Sequence, residues 1–166
     1  VDKEIDCSSK TLIPGFVDSH THLIFAGDRA QEFSARSRGE KYTAGGINTT
    51  VESTRNASDS ILTANAQRLL NEATLSGTTT VEIKSGYGLT VEGELKMLRV
   101  IKRLKENYPI AIKATFLGAH AFPMEYKENH SAYIDLIINE MLPKIASENL
   151  ADYIDAFLET GYFSVE

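Results

Sequence analysis

His20 and His22 stand two apart inside Ile13-Pro14-Gly15-Phe16-Val17-Asp18-Ser19-His20-Thr21-His22-Leu23, a run that opens on a Pro-Gly turn and continues as a strand. Side chains alternate across a strand, so both imidazoles project from one face toward one point, which is a metal-ligand geometry. One packed and one exposed histidine is the other reading of the same pair. His130, among Glu128, Asn129 and Ser131, reads as a solvated helix start, and Cys7 as an ordinary thiol.

The segments around the pair must position it. From Gly27 to Gly46 the sequence is polar and glycine-interrupted, a loop with at most a short helix and long enough to be functional. Ser58 or Asp59 caps a helix to about Ser76, with Ile61, Leu62, Leu69, Leu70 and Ala73 on one face and Gly77 as the stop. Thr78 to Ile83 is rich in β-branched residues and predicts a strand running into Ser85-Gly86-Tyr87-Gly88. Thr90 caps the next helix, with Glu92 and Glu94 near its positive end and Leu95, Leu98, Ile101 and Leu104 recurring along it; Pro109 ends it. Ile110 to Leu117 predicts a third strand, closing on Gly118-Ala119-His120. A third helix starts at Ser131, where Pro143 implies a kink or break, and Tyr153 to Leu158 is the fourth strand. Strands alternating with helices favour a parallel sheet with crossover helices. An open doubly wound sheet and part of a (β/α)8 barrel both fit; a whole barrel needs roughly 250 residues, so this chain supplies about half of one.

Composition excludes other classes. With 42% hydrophobic and 24% charged residues among 166, the chain is ordinarily globular, and a net charge of −6 with 17 scattered basic residues argues against a nucleic-acid surface. No apolar run approaches the roughly 18 residues of a membrane span, and the N-terminus lacks an export signal. One cysteine fits a reducing compartment, so a cytoplasmic protein is expected. A start at Val1 and a stop at Glu166 suggest that both ends are cuts.

Asp18-Ser19-His20-Thr21-His22, directly after Ile13-Pro14-Gly15-Phe16-Val17, resembles the first barrel strand of the amidohydrolase superfamily. Phe25 to Phe33, Val81 to Leu89, Thr115 to His120, Glu94 to Val100 and Tyr133 to Leu136 resemble one branch of it, which opens a cyclic amide carrying a propionate arm. The resemblance implies an α/β fold: residues 13–166 as the first four βα units of a TIM (β/α)8 barrel, and residues 1–12 as the link from a small N-terminal β-sandwich. It implies one Zn or Fe ion held in part by His20 and His22. Arg29, Tyr87 and His120 become substrate-binding residues, and Arg29 offers a planar fork suited to a carboxylate. A solvated arginine, a turn tyrosine at the barrel mouth and a core histidine are their ordinary alternatives.

Lys84 is expected to be structural rather than a carbamylated metal bridge, because the resemblance is to a one-metal site. The stretch between Arg36 and Ile47 is several residues shorter than the branch's usual one, which puts a substrate role for Tyr42 in doubt. The remaining ligands and catalytic groups are expected beyond Glu166, so the 166-residue chain is expected to be inactive. A homodimer is implied for the full-length protein. Two rivals stand beside this reading: another amidohydrolase, such as a deaminase relative, and a non-catalytic small α/β domain.

Overall fold

A computed structural model describes residues 4–40 and 46–165 of the chain, and Tyr42 and Gly45 lie outside the described residues. Residues 4–15 carry no helix or strand and are exposed, Cys7 among them as a free thiol.

Four strands, β1 (Phe16–Thr21), β2 (Thr78–Lys84), β3 (Ala111–Ala119) and β4 (Tyr153–Ala156), pair in parallel in the order β1-β2-β3-β4. Among the described residues the order follows the sequence, without the reversal that defines a doubly wound sheet. Between the strands run α1 (Ala30–Ser37), α2 (Gly46–Asn56), α3 (Asp59–Leu75), α4 (Val91–Asn107), α5 (His130–Leu136) and α6 (Leu142–Ser147).

The expected caps form as the sequence predicts. Ser58 accepts a hydrogen bond from the Ile61 amide at the start of α3, and Thr90 accepts one from the Gly93 amide at the start of α4. The core lies where α3 and α4 cover the sheet: Val81, Ile83, Ile112, Ala114 and Phe116 pack with Leu62, Ala66, Leu70, Leu98, Ile101 and Leu104, all buried. Each large side chain there contributes about 1.5–3 kcal/mol by leaving water.

Two elements add to the expectation. Helix α2 occupies a stretch with no element assigned from the sequence, where Gly46, Asn48 and the β-branched Thr49, Thr50 and Val51 are weak helix formers. Tertiary contacts hold it instead. Thr50, Val51 and Thr54 are buried, the Thr54 hydroxyl accepts from the Ala26 amide, and the Lys96 ammonium donates to the carbonyls of Thr54, Arg55 and Ala57 where the helix ends. A cation against the C-terminal carbonyls is the favourable polarity for a helix.

The second is at Pro143, where the regular α-helix is interrupted. The chain remains helical from α5 into α6, because a π-helical turn at Ile137–Met141 leads into Leu142–Ser147 and places the proline in the first turn of α6. A widened turn accommodates the missing N–H and the ring, so the expected interruption takes the form of a π turn within a continuing helical segment. His130 begins α5 and is exposed, as expected, with its ring stacked on Phe122 at a centroid distance of 3.7 Å.

No helix among the described residues is long and apolar enough to cross a membrane.

Candidate active site

β1 brings His20 to the strand's end and delivers His22 just past it, and the two ring centroids lie 5.4 Å apart. Two further rings meet them. Tyr87, on the loop after β2, lies 5.2 Å from His22, and His120, just past β3, stacks on His22 at 5.0 Å and lies 5.4 Å from Tyr87. All four rings therefore gather where three parallel strands end, although 100 residues of sequence separate His20 from His120. Phe157, after β4, meets the His120 ring edge-on at 6.2 Å.

The His22 imidazole is pushed down to about 4, first by burial and then by the positive charges available to His120, His20 and Lys84. Its Nδ1 is buried and has no hydrogen-bond partner. A neutral imidazole with an unpaired ring nitrogen is the form that binds a metal ion. Among the described residues no group of three or more His, Cys, Asp or Glu side chains is arranged around one point.

His120 is oriented by its loop. Its Nδ1 lies 2.9 Å from the Gly86 carbonyl oxygen, which can only accept, so Nδ1 is a ring nitrogen that carries a proton. Tyr87 has its hydroxyl pKa raised by burial, against an opposing pull from the Arg29 charge, so the phenol remains a proton donor at neutral pH.

That same pull places Arg29 within electrostatic reach of Tyr87. The guanidinium fork grips Glu32, with Nη2 to Oε1 at 2.6 Å and Nε to Oε2 at 3.0 Å, and the Arg29 side chain is 41% exposed. The fork thus holds a carboxylate in the two-pronged manner expected of it, but that carboxylate belongs to its own helix.

A polar network on the sheet runs beneath these rings. Lys84 donates to Glu82 at 2.8 Å and to Asp155 at 2.9 Å, tying β2 to β4, and Thr115 donates to the same Glu82 oxygen. Burial pushes the Lys84 ammonium down, but the hydrogen bonds to Glu82 and Asp155 outweigh it and hold the group above its ordinary value. Held between two carboxylates, the Lys84 ammonium joins the two strands across the sheet. Glu82 and Asp155 carried no mark in the sequence, since a carboxylate two residues before a lysine on a strand, or 71 residues after it, looks like any surface acid.

No family model matches the chain. Over 99% of its length it is 58% identical to an imidazolonepropionase of Flavobacterium psychrophilum and 55% identical to one of Flavobacterium johnsoniae. It resembles imidazolonepropionases from end to end. A third relative, the imidazolonepropionase of Shewanella halifaxensis, is 51% identical over 93% of the chain. The chain spans about two fifths of the length of these relatives, 41%, 41% and 39% respectively. At 99% coverage the matched stretch spans the region from His20 to His120.

Proposed function

We propose that this chain forms the front half of an imidazolonepropionase, which hydrolyses 4-imidazolone-5-propanoate to N-formimidoyl-L-glutamate in histidine degradation. The observation that carries the reading is the convergence of His20, His22, Tyr87 and His120 at one end of the sheet, within a sequence 58% identical to such an enzyme. The sequential parallel sheet suits the first four βα units of a (β/α)8 barrel, whose active sites gather at the C-terminal ends of the strands. Residues 1–12 are then the link from a β-sandwich. Relatives more than twice the length leave room for the other four units.

His20 and His22 would supply two ligands to one Zn or Fe ion, and the unpaired His22 Nδ1 fits that role. When bound, such an ion acidifies water and polarises the ring carbonyl. Water oxygen then bonds to the ring carbonyl carbon, the C–N bond opens, and a proton passes to the departing nitrogen.

The chain's own side chains bind and orient the substrate. Arg29 exchanges its grip on Glu32 for the propionate carboxylate, which presents the same pair of oxygens to the same fork. Tyr87 donates from its phenol. His120, with Nδ1 held by Gly86, turns Nε2 to the imidazolone ring.

The test is a chimera in which these 166 residues replace the matching segment of the Flavobacterium psychrophilum imidazolonepropionase. Turnover of 4-imidazolone-5-propanoate, lost on Arg29→Ala mainly through a raised KM, is the expected result. A chimera that folds but leaves this substrate untouched would sink the proposal, and an Arg29→Ala chimera with KM and turnover unchanged would remove Arg29 from substrate binding.

A further inference from the structure

Glu94 is buried completely, yet it belongs to the first turn of α4 rather than to the ring cluster. Its carboxylate faces the Ser85-to-Leu89 loop. Oε1 accepts from the amides of Gly88 at 2.9 Å and Leu89 at 2.8 Å, and Oε2 accepts from the amide of Gly86 at 3.1 Å. One side chain therefore fixes the peptide groups on both sides of Tyr87.

The rest of the loop is built around that carboxylate. Gly86 and Leu89 adopt positive φ, 105° and 49°, and a Cβ on Gly86 would lie 2.8 Å from the Leu117 carbonyl and 2.9 Å from His120 Nδ1. At Gly88 a Cβ would lie 2.3 Å from the Gly93 carbonyl carbon, so the loop rests directly on the backbone of α4. Arg55 donates to the carbonyls of Gly88 and Leu89 from outside. The Gly86 carbonyl is left to accept from His120.

We infer that Glu94 is a positioning residue for the site: by binding three loop amides it places Tyr87, and through the Gly86 carbonyl it selects the Nδ1–H form of His120. This rests on the reading that Tyr87 and His120 contact substrate, and it goes beyond that reading by assigning their geometry to a residue that touches neither ring. A carboxylate offers two acceptor oxygens and suits three amides, whereas a glutamine must turn its NH2 toward at least one of them.

The experiment is NMR on the 166-residue chain, without substrate, so it is independent of the enzyme assay. In the wild-type chain, hydrogen-bond couplings from the Gly86, Gly88 and Leu89 amides to the Glu94 carboxyl carbon and a His120 ring protonated at Nδ1 are expected. In Glu94→Gln, at least one of the three amides should exchange roughly tenfold faster, and His120 should populate both tautomers. Far-UV circular dichroism and the methyl signals of Leu98 and Ile101 report whether the fold is kept. A folded Glu94→Gln chain with exchange and tautomer unchanged overturns the inference, as does a wild-type His120 protonated at Nε2 or absent couplings. Should the variant not fold, the wild-type couplings and tautomer decide. Failure here leaves the proposed substrate intact, whereas an inactive chimera with the loop geometry confirmed would remove the substrate and keep the loop anchor.

Discussion

β2 and β3 are built from the same kinds of residues as β1 and β4, yet their fates differ. Val81, Ile83, Ile112 and Phe116 are buried, while Phe16, Val17, Tyr153 and Ile154 are more than half exposed. Composition does not decide this. An inner strand has a neighbour on each side and helices across its face, whereas each outer strand has an unpaired edge. The site is divided along the same line. Tyr87 and His120 stand on loops that follow the inner strands and are tied down by Glu94 and Gly86. His20 and His22 ride on an outer strand.

The largest effect expected from that division is on activity. Two histidines on an edge strand fall short of the three protein ligands a catalytic metal site normally uses, so the purified 166-residue chain should give no hydrolysis of 4-imidazolone-5-propanoate. Any turnover above the buffer rate in an assay following loss of substrate absorbance would break the comparison.

Truncating the inner strands should cost stability heavily. Ile83→Ala, at a fully buried position, is expected to lower the unfolding free energy by about 2–5 kcal/mol in urea titrations. Lys84→Met, which leaves Glu82 and Asp155 without their shared cation, is expected to cost about 3 kcal/mol. A loss under 1 kcal/mol in either would show that the inner strands are not the rigid half.

The dependence on pH follows from His22. Its folded value of about 4 lies below its ordinary 6.5, so on acidification the unfolded chain takes up a proton before the folded chain does. The stability tied to neutral His22 is fully present above pH 6.5 and is lost as pH falls toward 4. Urea midpoints for the chain should drop between pH 7 and pH 5, and drop less in His22→Gln.

The smallest effect is expected on the outer strands. Ile154→Thr, at a residue 61% exposed, should change the unfolding free energy by no more than about 0.5 kcal/mol while reducing self-association in light scattering. A cost comparable to that of Ile83→Ala would mean that β4 is covered in solution.

Local signals settled much of this protein. The hydroxyls of Ser58 and Thr90 mark where α3 and α4 begin, since a cap involves only the next three residues. The β-branched run from Thr78 marks β2, and two-residue spacing marks His20 and His22 as a pair. Similarity across the chain singled out Arg29, Tyr87 and His120, and the structure brings the tyrosine and the histidine to His22 while pairing the arginine with Glu32.

Contacts distant in sequence settled the rest. α2 is built from weak helix formers, and its contacts are distant in sequence: Thr54 accepts from the Ala26 amide, and Lys96, 41 residues away from Arg55, binds the last carbonyls. Pro143 reads as a kink or a break, and the fold gives the interruption the form of a π turn. Glu94 reads as an acid favouring a helix start, and only the folded loop turns its carboxylate toward three amides and away from water. Propensity, capping and alternation act over a few residues and are written in order along the chain; burial and the choice of hydrogen-bond partner depend on which segments the closed fold brings together.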